Sequence, residues 1–174
     1  GEFKNGMYYK GTFTETDGTK FEGKFKNNLA YKGTLTYTNG DIYIGSFDNN
    51  LPIGRGILNF TNGDKYVGNF VDGKRHGRGT YTLIGEGIYV GEFKNGKFDG
   101  KGSFTFINGS KYVGEYKNDK MHGKGTLYYL NLNSRFEGEF KNGEPNGKGT
   151  LIKNDGSSTK VTFKDGKRIE WKSF

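Results

Sequence analysis

The sequence predicts an all-β protein: an elongated, single-layer, twisted antiparallel sheet of tandem β-hairpin repeats. Three observations predict it. An aromatic–glycine motif recurs along the whole chain at a nearly fixed period. Its residues alternate with a period of two, and turn dipeptides separate the alternating runs.

The motif is clearest at Tyr66-Val67-Gly68-Asn69-Phe70-Val71-Asp72-Gly73, which recurs as Tyr89-Val90-Gly91-Glu92-Phe93-Lys94-Asn95-Gly96 and as Tyr112-Val113-Gly114-Glu115-Tyr116-Lys117-Asn118-Asp119. Its second aromatic falls at Phe3, Phe25, Phe47, Phe70, Phe93, Tyr116, Phe140 and Phe163, so the steps are 22, 22, 23, 23, 23, 24 and 23 residues. Each unit has a second half, such as Gly54-Arg55-Gly56-Ile57-Leu58-Asn59-Phe60 or Gly77-Arg78-Gly79-Thr80-Tyr81-Thr82-Leu83, with further copies beginning at Gly100, Gly123 and Gly147. In the first two units Tyr9 and Tyr31 stand where the leading glycine is expected.

Alternation places Tyr66, Gly68 and Phe70 on one face of a first strand, and Gly77, Gly79, Tyr81 and Leu83 on one face of a second. Asn-Gly, Asp-Gly or Asn-Asn steps follow the first strands, with Asn28, Asn50 and Asp119 in place of glycine. Asn and Asp are the residues that best tolerate a positive φ. A second set of turn dipeptides (Asp17-Gly18, Asn39-Gly40, Asn62-Gly63, Asn108-Gly109 and Asp155-Gly156) closes the other end of the hairpins. No segment sustains a helical period. About fifteen strands spaced ~4.8 Å apart would extend roughly 70 Å, and a sheet that long must twist.

Composition narrows the class. Hydrophobic residues make up 31% of the chain and aromatic residues 16%, so aromatics supply about half of the apolar surface. The absence of cysteine excludes disulfides and thiolate metal sites. No apolar run approaches the ~20 residues a membrane helix needs. The net charge of +8 permits acidic proteins, anionic lipid or nucleic acid as partners and chooses none of them.

These units resemble the MORN repeat, whose pattern is roughly Tyr-x-Gly-x-Phe-x-x-Gly followed by Gly-x-Gly. The resemblance covers essentially the whole chain. Seven hairpin repeats are expected at 1–20, 21–42, 43–65, 66–88, 89–111, 112–135 and 136–158. A degenerate capping strand and tail follow at 159–174, where Thr159 and Val161 replace the aromatic and the glycine. The first unit lacks its leading aromatic, as if the chain began inside a strand. The resemblance implies a non-catalytic scaffold, cytoplasmic, associated with cytoskeleton or membrane, or a regulatory segment of a larger enzyme. It also implies protein partners bound along a grooved aromatic face, end-to-end homodimers in some members, and contested lipid binding.

Two surfaces are candidates. The aromatic face carries Tyr43, Phe47, Tyr66, Phe70, Tyr89, Phe93, Tyr112 and Tyr116, together with Leu58, Phe60, Tyr81, Phe104 and Phe106. These residues either pack only on one another and on glycine, or also line a groove for a partner peptide. The opposite face carries one cation per unit beside the Gly-x-Gly, at Lys10, Lys32, Arg55, Arg78, Lys101, Lys124 and Lys148. It is either a solvated face balanced by Glu2, Glu92, Glu115 and Glu139, or a contact for anionic phospholipid or an acidic partner through Lys32, Arg55, Arg78, Lys101 and Lys124. With Ser46 and Asn69 at the glutamate position, the basic patch is expected near Lys32, Arg55 and Arg78.

Nucleic acid fits poorly, because stacking aromatics and phosphate-binding cations must share a face. His76 and His122 lie two units apart, too far to share a metal. Gly123-Lys124 is followed by Gly125 and by no helix, so it is not a phosphate loop. No catalytic set, metal site or cofactor site is expected. The apolar residues Phe163, Ile169, Trp171 and Phe174 are expected to cap the last unit or to form a dimer contact.

Overall fold

The computed structural model describes residues 1–169. It contains sixteen strands in sequence order. Two bodies are separable, Gly1–Ile84 and Gly85–Phe174. The first holds β1 (Glu2–Lys4), β2 (Met7–Thr14), β3 (Lys20–Lys26), β4 (Leu29–Thr36), β5 (Ile42–Asp48), β6 (Leu51–Asn59), β7 (Lys65–Val71) and β8 (Lys74–Leu83). The second holds β9 (Gly87–Lys94), β10 (Lys97–Phe106), β11 (Lys111–Lys117), β12 (Lys120–Tyr129), β13 (Ser134–Lys141), β14 (Glu144–Lys153), β15 (Ser158–Lys164) and β16 (Lys167–Ile169). Within each body every strand pairs antiparallel with the next. Each body is thus one open antiparallel sheet of hairpins, the predicted fold class. Among the described residues no helix is long and apolar enough to cross a membrane.

The turn chemistry follows the sequence closely. Every first-strand turn is a two-residue loop with both residues at positive φ, from Asn5 (50°) and Gly6 (74°) to Asp165 (48°) and Gly166 (75°). That geometry matches the twist of the flanking strands, and it explains Asn, Asp and Gly at these positions. Asn118 (49°) and Asp119 (68°) manage it without glycine. At the other end, Asn39 Oδ1 accepts the Asp41 N–H at 3.0 Å and Asn62 Oδ1 accepts the Asp64 N–H at 3.0 Å. The turns are also tied from one hairpin to the next. Asp41 Oδ1 accepts the Thr61 N–H at 3.0 Å, Asp64 Oδ1 accepts the Ile84 N–H at 2.8 Å, and Asp119 Oδ1 accepts the Phe98 N–H at 2.8 Å.

The register explains the 22- and 23-residue steps. In the 23-residue units the second strand bulges: Gly68 faces Gly79 and Phe70 faces Arg75, so Asn69 stands opposite three residues. The middle one, Gly77, sits at φ 63°, where a side chain would be strained. In the 22-residue units the bulge is shorter. Gly23 faces Gly33, Lys24 faces Lys32 and Phe25 faces Ala30, which leaves Tyr31 as the single extra residue. Tyr9 and Tyr31 therefore do not replace the bulge glycine. They match Ile53 and His76, and the glycine itself is deleted.

At the C-terminal end a short β16 pairs with the expected strand, with Thr162 opposite Ile169. Phe163 packs on Phe136 at 5.0 Å, and Ile169 is 38% exposed. The predicted capping residues Trp171 and Phe174 lie outside the described residues.

Candidate interaction surfaces

The aromatic face is built on glycine pairs. Gly68 and Gly79 oppose each other across β7 and β8, and Tyr66 lies over both. Tyr43 lies over Gly45 and Gly56, and Tyr112 over Gly114 and Gly125. Each hydroxyl turns back to a carbonyl at the bulge: Tyr66 donates to Asn69 O at 2.9 Å, Tyr89 to Glu92 O at 2.9 Å and Tyr112 to Glu115 O at 3.0 Å. The second aromatic stands edge-on to the first, as in Tyr43–Phe47 (5.2 Å, 90°) and Tyr89–Phe93 (5.2 Å, 88°). The same tyrosines meet the next hairpin edge-on, Tyr43–Phe70 at 4.8 Å and Tyr112–Phe140 at 4.8 Å. Each such pair contributes ~0.5–1.5 kcal/mol beyond its buried area.

This packing closes the column. Tyr43, Tyr66, Tyr89 and Tyr112 are 0% exposed, and Phe47, Phe70, Phe93 and Tyr116 are 4%, 3%, 2% and 6% exposed. The eight residues expected to line a groove are therefore interior to the packed aromatic face of their own body. Burial pushes the hydroxyls of Tyr43, Tyr66 and Tyr112 up to about 12, and those of Tyr89 and Tyr116 higher still. The Tyr116 hydroxyl is buried with no hydrogen-bond partner among the described residues.

The accessible part of this face belongs to the second strands. Across the first body runs the cross-strand row Phe13, Phe21, Leu35, Tyr43, Leu58, Tyr66, Tyr81. Its first-strand members are buried, whereas Leu35, Leu58 and Tyr81 are half-buried and Phe13 is exposed. Tyr37, Phe60 and Leu83 continue this lip toward the turns and are also half-buried. Arg75 stacks its guanidinium on Tyr81, 4.6 Å from the ring centre. Asp64 is buried beside it. Burial would raise its carboxyl, but the Ile84 N–H, Asn62, Tyr81 and the Arg75 charge more than offset that, and its pKa is lowered.

On the opposite face the predicted cations Lys32, Arg55, Arg78, Lys101 and Lys124 are all exposed. The two bodies differ in what lies beside them. In the second body Lys101 faces Glu115 and Lys124 faces Glu139. In the first, Lys10 stands between Glu2 and Lys24, Lys24 faces Lys32, Lys32 faces Ser46 and Arg55 faces Asn69. Three lysines thus stand directly opposite one another on consecutive strands, where like charges destabilise a sheet. Among the described residues no three His, Asp or Glu side chains gather in a group that could hold a metal.

The MORN-repeat family model matches residues 21–42, 43–65, 66–84, 89–111, 112–133 and 136–158. The chain belongs to the MORN-repeat family. No curated protein matches it as a relative. Among solved structures, the TCP domain of SAS-4 from Drosophila melanogaster, determined with a proline-rich motif of Ana2, is similar over 94% of this chain and 96% of its own. At 14% identity and a TM-score of 0.50, that likeness is one of fold.

Within the MORN array, two features escaped the sequence reading. Lys24 stands where sister repeats carry glutamate, and this moves the centre of the basic patch from Arg55 toward Lys10, Lys24 and Lys32. Aligning Phe25 with Phe93, Tyr116 and Phe140 finds it, because Lys24 then falls level with Glu92, Glu115 and Glu139. The lip residues Leu35, Tyr37 and Leu83 were also missed, because alternation gives the face of a side chain and not its depth.

Proposed function

We propose that this MORN array is a non-catalytic scaffold that holds an extended partner peptide along the second-strand lip of its aromatic face. One observation carries this reading: half-exposed Leu35, Leu58 and Tyr81 recur in register across a closed aromatic floor. A row of apolar side chains at strand spacing offers regular footholds to an extended chain, and a rigid floor lowers the cost of ordering them. The SAS-4 domain, of like fold, was determined with a bound proline-rich motif, which supports the same use of such a sheet. The buried column contributes indirectly, by fixing the lip.

A photo-crosslinking residue in place of Phe60, on the lip, tests this in an extract of the source cells. The same residue at Thr80, on the opposite face, is the comparison. A discrete cross-linked partner at position 60 and none at 80 is expected. The reverse pattern places binding on the other face.

The lysine column favours a second reading, contact with anionic phospholipid or an acidic protein. Lys10, Lys24 and Lys32 oppose one another at a cost in stability, and attraction to an anionic surface supplies ~1 kcal/mol per cation. Lys24→Glu is expected to raise stability by about 0.5 kcal/mol and to abolish flotation with phosphatidylserine vesicles. A stabilised variant that floats like the parent, or a parent that never floats, makes the column a solvated face.

A further inference from the structure

The aromatic column has a gap, and the register shows where. In the seven full hairpins the residue opposite the second aromatic is Tyr8, then Ala30, Pro52, Arg75, Phe98, Met121 and Pro145. Six of these seven positions carry a bulkier side chain than alanine. Phe98 shows how the slot is filled: it stacks on Tyr89 at 3.8 Å and 10°, and meets Phe93 edge-on at 5.3 Å. Ala30 has only a methyl group to offer.

Beside Ala30 lies a cavity of about 400 Å³, lined by Phe21, Phe25, Phe47 and Leu35 and by the exposed Phe13. Its backbone is held in place: the Ala30 N–H donates to Asn50 Oδ1 at 2.9 Å. The mouth carries Glu15 and Asp17 in a protein of net charge +8. Asp17 is engaged by the Thr19 N–H at 2.8 Å, which fixes its carboxylate at the rim, and Glu15 is exposed beside it.

We propose that this cavity is the anchor pocket for the partner peptide, and that it takes one bulky apolar side chain with a Lys or Arg next to it. The inference rests on the scaffold reading and names the chemistry of the partner at one position. The sister repeats show that aromatic, methionine, proline and arginine side chains fit the slot. The acidic mouth selects for a cation beside the anchor, because a carboxylate there would meet two negative charges.

The test uses the full chain with labelled alanine and leucine methyl groups, and the short blocked peptides acetyl-Gly-Trp-Lys-Gly-amide, acetyl-Gly-Trp-Glu-Gly-amide and acetyl-Gly-Ala-Lys-Gly-amide. The Trp-Lys peptide is expected to shift the Ala30 and Leu35 methyl signals saturably. The Trp-Glu peptide should bind about fivefold more weakly, and the Ala-Lys peptide should leave the signals in place. Ala30→Met, which installs the residue found at Met121, should raise the melting temperature and remove the Leu35 shift. Glu15→Lys does not touch the core and should erase the preference for Trp-Lys over Trp-Glu. Equal binding of the three peptides, an Ala30→Met variant that binds as before, or no saturable shift at Ala30 overturns the pocket. Shifts at Leu58 without any at Ala30 overturn it while leaving the lip as the binding surface. Cross-linking at Phe60 reports on the lip independently of all three peptides.

Discussion

Gly68→Val should cost about 3 kcal/mol and unfold the first body at moderate urea. Gly68 is in ordinary strand conformation, so backbone strain plays no part; space decides. A Cβ there runs into the Tyr66 ring, 2.5 Å from its Cζ, and into the Gly79 Cα at 2.6 Å. Neither yields easily, since the ring is 0% exposed and the glycine is backbone of the paired strand. Gly54→Asn is the control. Gly54 sits at φ 62° with nothing within 4 Å of the added Cβ, and Asn28 and Asn50 hold the same angle. That change should cost less than about 1 kcal/mol. If the two variants are equally stable in urea denaturation, the glycine pairs are not what lets the rings down onto the sheet.

The second large effect is in the other body, where one chemical edit should have opposite signs at two sites. Tyr112 is 0% exposed, touches Tyr116 at 5.2 Å and Phe140 at 4.8 Å, and its hydroxyl donates to Glu115 O. Tyr112→Ala should lose about 4 kcal/mol through the cavity it leaves. Tyr112→Phe removes only the hydrogen bond and should lose about 1 kcal/mol. The fold accepts phenylalanine there, as Phe136 shows in the next hairpin. Tyr116→Phe removes a buried hydroxyl without a partner among the described residues, and should gain about 1 kcal/mol. Phenylalanine fills the matching position in each of the other units. Equilibrium denaturation of the three variants checks both signs together, and a Tyr116→Phe variant less stable than its parent would mean that the hydroxyl has a partner.

Much of the fold was legible because it rests on local rules. Asn-Gly and Asp-Gly steps dictated the turns, and period-two alternation assigned the faces. The bulge was half legible. Gly77 marks it, but only the register showed that the 22-residue units omit this residue, because spacing alone does not distinguish a replaced residue from a deleted one. The site was less legible. Tyr66 and Tyr81 share a face, yet one is fully buried and the other stands half-buried. Tyr66 lies over a glycine on its own strand and one on the paired strand, Gly68 and Gly79, and that pair appears only once the strands are in register. Ala30 looked like one more small residue. Its meaning depends on Pro52, Arg75 and Phe98 at the same place in other hairpins.

The division between a closed first-strand column and an accessible second-strand lip is tested most directly by solvent exposure of the tyrosines. With fluorotyrosine incorporated throughout, fluorine NMR in the presence of a dissolved paramagnetic agent reads each ring. Tyr43, Tyr66, Tyr89 and Tyr112 should keep their signals, while Tyr37 and Tyr81 are attenuated. Attenuation of the first four to the same degree would contradict the closed column and return the groove to the first strands.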